Sequence, residues 1–318
     1  MSIIVGVDQA VTDRMARTIK NLETKISPLN VFDERYYPPS DEPVDRVLSY
    51  FLVMVAMDHR LSRPGRPYQA TIDGVEYRGA DLLYRLGRIK YEEDPSFFTA
   101  ERLSTVEIEE VAKWLSAGQV SPPDLETRVM LLRDLGVKLY KLYGGNSVSL
   151  LEMAENRLRG SLDKPGLLDL LKVFRAYEDP VEKKALLLAK FLTRRGLISP
   201  IDEAGIPVDN HLVRIAYRTG LVMVSGTLWT KIRNGLEVSR EEDVLLRMVV
   251  RQGFEELAKR SGIDPFLLDD FLWVHGRSIC LRDSAPLCDK CVFKGFCRAR
   301  KNKSFMVTEH TYYNTWYY

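Results

Sequence analysis

Cysteine is scarce in this chain and occurs in one place only. The 318 residues contain four cysteines, Cys280, Cys288, Cys291 and Cys297, and none precedes them. Disulfides belong mainly to exported proteins. The N-terminal run Met-Ser-Ile-Ile-Val-Gly-Val-Asp has no basic segment followed by an apolar one, so it predicts no secretory signal. The four thiols are therefore predicted to form one metal site.

Long apolar runs are absent, and glutamine is scarce. The most apolar stretch, residues 44–57, has 14 residues, whereas a bilayer-spanning helix needs about 20. No membrane partner is expected, and a cytoplasmic, monomeric protein is predicted. Glutamine occurs only at positions 9, 69, 119 and 252, while Glu, Lys and Arg are plentiful. This composition favours a thermophilic source.

The spacing of the cysteines narrows the chemistry of the predicted metal site. It reads Cys-x7-Cys-x2-Cys-x5-Cys. Thiolates suit zinc or an iron–sulfur cluster. Structural zinc sites usually pair two short Cys-x2-Cys-type knuckles across a longer spacer. The uneven spacing here allows a loop that wraps a cubane, so it favours [4Fe-4S], with zinc as the alternative.

The rest of the chain predicts helices. Hydrophobic residues make up 45% and charged residues 28% of the sequence, as in ordinary globular proteins. Helical periodicity after residue 40 predicts an all-α, two-lobed protein. Residues 44–57 are predicted to form a buried central helix. Tyr68–Tyr77 predicts a small hairpin that turns at Asp73-Gly74, and Ser104-x-x-Glu107 predicts a capping box.

Four segments are predicted along the chain. Residues 1–160 form an N-terminal helical lobe that contains the small hairpin, and residues 161–274 form a second helical lobe. Residues 275–303 form the cysteine loop, and residues 304–318 form an aromatic tail.

A second informative stretch surrounds Asp209. It follows Pro207 and stands where a helix is predicted to begin. From the residues alone, Asp209 is either a simple N-cap or a carboxylate held at a helix N-terminus beside a pocket.

These two stretches resemble a known family. The run His275-Gly-Arg277-x2-Cys280-x-Arg282 with the later cysteines is similar to the cluster loop of endonuclease III-type DNA glycosylases, and Val-Asp209-x-His-x2-Arg-Ile-x2-Arg-x-Gly220 resembles the active-site segment of the helix–hairpin–helix glycosylase superfamily. The resemblance covers about residues 165–300. It implies a helix–hairpin–helix glycosylase fold, a [4Fe-4S] cluster on the four cysteines, and Asp209 as the catalytic carboxylate. The loop departs from the family by one residue, because seven rather than six residues separate its first two cysteines.

The chain also departs from the family at the hairpin. The family's Leu-Pro-Gly-x-Gly binds a phosphate through backbone N–H groups, whereas residues 191–205 contain no glycine pair. Arg194 and Arg195 are predicted to supply part of that grip. Bifunctional members carry a nucleophilic lysine after the hairpin. No lysine matches that context, and Lys190 reads as part of an ordinary amphipathic helix, so a water-using, monofunctional enzyme is predicted.

The distribution of positive charge along the sequence predicts where DNA binds. Residues 275–303 contain eight basic and two acidic residues, a net charge of +6 in a chain whose total is +2. Such a patch attracts a phosphate backbone. Arg277, Arg282, Lys290 and Lys294 are therefore candidate DNA contacts. The candidate pocket residues in the N-terminal half are Asp58, His59, Tyr77 and Arg78.

Three functions stay open. The first is a DNA-repair N-glycosylase acting on a damaged or mispaired base in duplex DNA. The second is an N-glycosylase of a free modified nucleotide, because Tyr77-x-Gly79 and the following helix faintly resemble queuosine-salvage enzymes. The third is a non-catalytic iron–sulfur protein that binds nucleic acid.

Overall fold

Helices dominate the computed structural model, which describes residues 5–63 and 65–318. The all-α prediction is confirmed. The N-terminal run considered for a signal includes residues 1–4, which lie outside the described residues. Within the described ranges the α-helices, α1–α14 in chain order, are Gln9–Lys20, Val44–Met57, Ala80–Glu93, Ala100–Ser104, Ile108–Leu115, Leu125–Tyr143, Val148–Ala154, Leu167–Leu171, Lys183–Arg194, Asn210–Thr219, Gly226–Arg233, Arg240–Ser261, Pro265–Ser278 and Arg298–Lys301.

Four short strands complete the regular structure of the described residues. They are β1 Val5–Val7, β2 Gln69–Ile72, β3 Val75–Arg78 and β4 Val222–Val224. β2 and β3 form the predicted hairpin, and β1 pairs antiparallel with β4. None of the helices in this part of the chain is both long enough and apolar enough to cross a membrane.

The chain divides into two compact units, both discontinuous in sequence. Unit 1 contains the described residues up to Leu29 together with Ala204–Thr315, and unit 2 contains Asn30–Glu203 and Trp316–Tyr318. The predicted lobes, 1–160 and 161–274, were continuous. The difference arises at the N-terminus, where β1 pairs with β4 and α1 packs against α12. Such long-range pairing leaves no local sequence pattern.

The core of unit 1 lies where α1, α10, α12 and α13 meet. These helices present apolar side chains that are almost fully excluded from water, including Met15, Leu212, Ile215, Leu246, Val250, Phe254, Leu268 and Leu272. Phe293, from the cysteine loop, is completely buried in the same cluster. The loop is thus anchored in the core of unit 1 by its own aromatic side chain.

The core of unit 2 is organised around α2, whose bounds agree with the predicted central helix. Residues 50–57 are at most 1% exposed. The Phe51 ring lies 5.2 Å from that of Phe191 in α9 and 5.5 Å from that of Tyr37. α4 approaches α6 at Gly136, where an added Cβ would lie 2.5 Å from the backbone nitrogen of Ser104. Any larger residue would separate these two helices.

One predicted cap was wrong. Ser104 is the last residue of α4 instead of the cap of a new helix, and the N-cap of α4 is Thr99, whose hydroxyl accepts from the Arg102 N–H. The next helix, α5, has Glu107 as its N-cap, and Glu110 accepts from the backbone N–H of Glu107 at 3.0 Å. The sequence Ser104–Glu110 therefore contains two overlapping cap patterns, and the packing of α4 selects the second.

Candidate active-site helix and cysteine loop

The cysteine loop begins where α13 ends. The backbone N–H groups of Ile279 and Cys280 both donate to the His275 carbonyl, which stops the helix. A 3₁₀ turn follows at Cys288–Lys290, and α14 begins directly after Cys297. The backbone thereby returns on itself and brings the four cysteines together.

All four cysteines line one cavity. Arg218, Ile279, Pro286, Ala299 and Met306 complete its wall. The thiols are free and half-buried. Arg218 NH1 lies 3.4 Å from Cys280 Sγ, and His275 Nε2 lies 3.4 Å from Cys291 Sγ. Four soft sulfur donors around a cavity that an arginine also lines are compatible with a sulfur-ligated cluster.

The protons of the thiols matter for metal binding. Burial raises the pKa of Cys291 to about 12 and also raises the pKa of Cys297. A metal must displace these protons to bind thiolates. In residues 5–63 and 65–318, no group of three or more His, Cys, Asp or Glu side chains is arranged to hold a single metal ion.

Asp209 is the N-cap of α10. An extended segment leads into it, with Ile206 and Val208 fully buried. One carboxylate oxygen of Asp209, Oδ1, accepts from the Leu212 N–H at 2.9 Å. Among the described residues, the second oxygen has no hydrogen-bond partner. The cap therefore uses half of the carboxylate, and the other half remains available at a helix N-terminus.

Arg214 ties α10 to the cysteine loop. Its side chain is 1% exposed. The guanidinium donates to the carbonyls of Gly276 and Cys280, both at 2.9 Å, and forms an ion pair with buried Glu309 at 3.0 Å. Arg214 thus joins α10, the end of α13 and the C-terminal segment.

Arg218, one turn later, makes a second tie. Its guanidinium donates to the carbonyls of Val307 and Leu281, both at 2.7 Å. Cys297 Sγ in turn lies 3.2 Å from the Arg218 carbonyl. Through these contacts Arg218, like Arg214, fixes α10 to the cysteine loop and the C-terminal segment.

His211 lies on the first turn of α10, beside Asp209. Arg214 NH2 donates to its Nδ1 at 2.9 Å, which assigns the ring proton to Nε2. Burial lowers the pKa of His211, so the imidazole is neutral at neutral pH. The ring packs edge-on against Trp273, and a Cβ added at Gly276 would lie 2.7 Å from the His211 Cβ. α10 and α13 therefore approach as closely as a glycine permits.

The predicted DNA-contacting residues of the loop have different environments. Arg277 stacks over Trp273 at 4.3 Å, and Arg282 forms an ion pair with Glu309 at 2.8 Å. Lys290 is exposed, and Lys294 donates to the Asp289 carbonyl at 3.0 Å while remaining exposed. Lys290 and Lys294 are thus the members of the set with ammonium groups facing solvent.

Arg194 and Arg195 end α9 in unit 2. The Arg195 guanidinium donates to the carbonyls of Val31, Pro38 and Pro39 and stacks over Phe32 at 4.6 Å. Arg195 thus organises an irregular segment of its own unit, and a phosphate would compete with these bonds.

The turn that enters α9 holds a buried carboxylate. Asp179, 1% exposed, accepts from the N–H groups of Val181 and Lys183, both at 2.9 Å. Glu182, 4% exposed, adopts a left-handed conformation with φ of 60°. The amides of Val181 and Lys183 are therefore already occupied, and two buried acids would repel a phosphate at this turn.

The candidate pocket residues lie in unit 2. Tyr77 is buried edge-on to Tyr36, and Arg78 is exposed. Asp58 forms an ion pair with Lys183 at 3.5 Å. His59 is 2% exposed, and its Nε2 has no hydrogen-bond partner among the described residues.

Sequence reasoning missed Lys184, which faces His59. Its Nζ donates to the Ala56 carbonyl at 2.6 Å and lies 3.1 Å from His59 Nδ1. Burial lowers the pKa of Lys184 well below its ordinary value, and burial together with Lys184 does the same for His59. The available signal was Lys183-Lys184 in a first helical turn, where the helix dipole disfavours cations.

Comparison with known proteins gives similarities of structure only. No family model matches the chain, and no curated protein matches it. The chain is similar to a trapped endonuclease III–DNA covalent intermediate (15% identity, TM-score 0.47, 93% of this chain and 96% of that one). It is also similar to a thermostable thymine-DNA glycosylase (13%, 0.45, 92% and 97%) and to the 8-oxoguanine DNA glycosylase from Pyrobaculum aerophilum (14%, 0.40, 90% and 97%). These similarities concern the fold alone.

Proposed function

We propose that this protein is a monofunctional DNA-repair N-glycosylase with Asp209 as its catalytic carboxylate. One observation carries the proposal. Asp209 keeps one carboxylate oxygen without a protein partner, at the start of a helix that Arg214 and Arg218 fix to a four-cysteine loop.

The chemistry suits a carboxylate in this position. Cleavage of an N-glycosidic bond builds positive charge on the sugar, which a nearby carboxylate stabilises. The same carboxylate can orient or deprotonate the attacking water. A base within duplex DNA is flipped out of the stack before this step. The cap bond to Leu212 fixes the carboxylate so that it does not reorganise during the reaction.

The four cysteines are proposed to hold a [4Fe-4S] cluster, with zinc as the alternative. When bound, the cluster supplies structural closure of the loop. Arg214 and Arg218 hold the carbonyls of Cys280 and Leu281 at the start of that loop. Lys290 and Lys294 present their charges to the DNA backbone from the same loop.

A water nucleophile is favoured over a lysine. Lys184 is fully buried and hydrogen-bonded, and Lys190 is 4% exposed. An amine that attacks a sugar must reach it and must be unprotonated. Borohydride treatment with lesion-containing duplex is expected to trap no covalent adduct. A trapped adduct would overturn monofunctionality. Its disappearance in Lys184→Gln would identify Lys184 as the attacking amine.

The deciding experiment measures base release from a panel of duplexes that each contain one lesion. Asp209→Asn is expected to lower the rate of release by about 10²–10⁴. Asn is as good an N-cap as Asp, so the fold is expected to be retained.

Asp264→Asn is the matched control. Asp264 caps α13 through the same contact, with its Oδ1 accepting from the Leu267 N–H at 2.9 Å. This variant is expected to keep full activity. If Asp209→Asn released base as fast as the wild type, Asp209 would be only a cap and the assignment would be wrong.

The metal site has its own test. Cys288→Ser is expected to abolish the brown colour and most of the bound iron, and to destabilise the C-terminal region. Ser284→Ala, an exposed change in the same loop, should leave the iron content unchanged. Iron content equal to that of the wild type in Cys288→Ser would contradict the cluster.

A second candidate is an N-glycosylase of a free modified nucleotide. The absence of a glycine pair from residues 191–205 favours it, because a small substrate needs no hairpin that grips a DNA phosphate. Silence across the duplex panel together with release from a modified nucleotide would support this second function. Silence with both substrate classes would leave the third, non-catalytic hypothesis.

We also propose that the protein is a cytoplasmic monomer.

A further inference from the structure

α1 presents cations on its exposed face. Its buried face, including Val11, Met15 and Ile19, packs in the core of unit 1. Arg14 and Arg17 are exposed, and their spacing of three residues makes them neighbours on the helix surface.

Two contacts bring this face beside the cysteine loop. The Arg14 guanidinium carbon lies 5.9 Å from the centroid of the Phe296 ring, which belongs to the segment between Cys291 and Cys297. Arg298, directly after that segment, forms an ion pair with Asp8 at 3.5 Å. The first turns of α1 and the second half of the loop therefore share one surface.

The carboxylates near this surface are already engaged by other cations. Asp8 pairs with Arg298, Asp13 with Arg260 at 2.7 Å, and Asp289 with Arg300 at 3.2 Å. The remaining exposed cations of α1 and the loop have no carboxylate partner among the described residues; they are Arg14, Arg17, Lys20, Lys290, Lys294, Lys301 and Lys303. The surface thus carries a surplus of positive charge that the protein itself does not neutralise.

We propose that α1 and the cysteine loop form one binding surface for the phosphate backbone of duplex DNA, with Arg14 and Arg17 as contacts beyond the loop. This inference rests on the proposed function and adds residues from the other end of the chain. Like charges at adjacent helix positions repel each other in the free protein. A polyanion removes that repulsion, and its condensed counterions are released.

Salt dependence of binding tests the proposal. The affinity for an undamaged, fluorescently labelled duplex is measured by anisotropy at several KCl concentrations, with the intact, iron-loaded protein. A plot of log K against log salt has a negative slope, and each lost phosphate contact reduces the magnitude of that slope by about 1. The double variant Arg14→Ala with Arg17→Ala is expected to reduce the magnitude of the slope by about 2. Alanine favours the helix, so α1 is retained, which circular dichroism checks.

The control removes two positive charges elsewhere. Lys113→Ala with Lys141→Ala changes two exposed lysines of unit 2 by the same net charge. A slope unchanged in the α1 variant, or changed equally in the control, would overturn the inference and leave the base-release result untouched. Absence of any duplex binding by the wild type would overturn both proposals. Normal binding with no base release in any duplex would count against the proposed function alone.

Discussion

Both units use buried cations to hold backbone carbonyls, but they balance the charge differently. In unit 1, Arg214 holds the carbonyls of Gly276 and Cys280 and is paired with buried Glu309. In unit 2, Lys184 holds the Ala56 carbonyl and faces His59, which is not an anion.

The difference decides which group stays charged. Glu309 compensates the guanidinium of Arg214 at 3.0 Å, and arginine does not lose its proton in proteins. In the described part of the chain, Lys184 has no carboxylate at that distance, and burial lowers the pKa of its amine well below 10.5. Its neighbour Arg128 keeps a charge, although burial lowers its pKa to about 10. Unit 1 therefore contains a permanent ionic brace, and unit 2 contains an amine whose protonation couples folding to pH.

The largest effect is expected from breaking the brace. Among the described residues, Arg214→Met leaves Glu309 with half-exposed Arg282 as its ion-pair partner, and it removes the bonds to the carbonyls of Gly276 and Cys280. Removing one partner of a buried ion pair costs about 3 kcal/mol. Urea unfolding measures this loss. Arg214→Met combined with Glu309→Gln should recover part of it, and a cost below about 1 kcal/mol would mean that the pair is not a brace.

A smaller effect is expected from Lys184. Burial lowers the pKa of the folded amine well below 10.5, while the unfolded amine binds a proton up to about pH 10.5. The unfolded state then binds more protons, so stability rises with pH between the two pKa values, by at most about 1.4 kcal/mol per pH unit. Urea unfolding at a series of pH values below about 10.5 measures the slope; Lys184→Met is expected to lose it, whereas Lys113→Met keeps it. An unchanged slope in Lys184→Met would show that the buried amine is charged.

Local patterns predicted much of the fold. The apolar run of α2 fixes a helix with the predicted bounds, and Asp73-Gly74 fixes the turn of the small hairpin. Asp209 is the N-cap expected from its position after Pro207. These features depend on neighbours within a few residues, which the sequence displays directly.

Features that depend on distant partners could not be predicted. The pairing of β1 with β4 joins residues from opposite ends of the chain. Lys184 belongs to an amphipathic helix, and only the approach of Ala56 and His59 makes its environment unusual. The motifs around Asp209 and the cysteines were recognisable, but the arginine bonds that join them required the structure. The catalytic and metal-binding roles of those residues stay predictions.

The contact at Gly276 has a consequence for how mutations act on this molecule. α13 approaches α10 so closely that a single methyl group would meet the Cβ of His211 at 2.7 Å. That methyl would displace the turn that carries Asp209 without touching the carboxylate. A displacement of about 1 Å can cost about 10² in rate when reacting groups must be aligned. Position 276 therefore limits how closely α13 can approach α10. If Asp209 has the proposed role, Gly276→Ala is expected to lower the rate of base release from outside the reacting site.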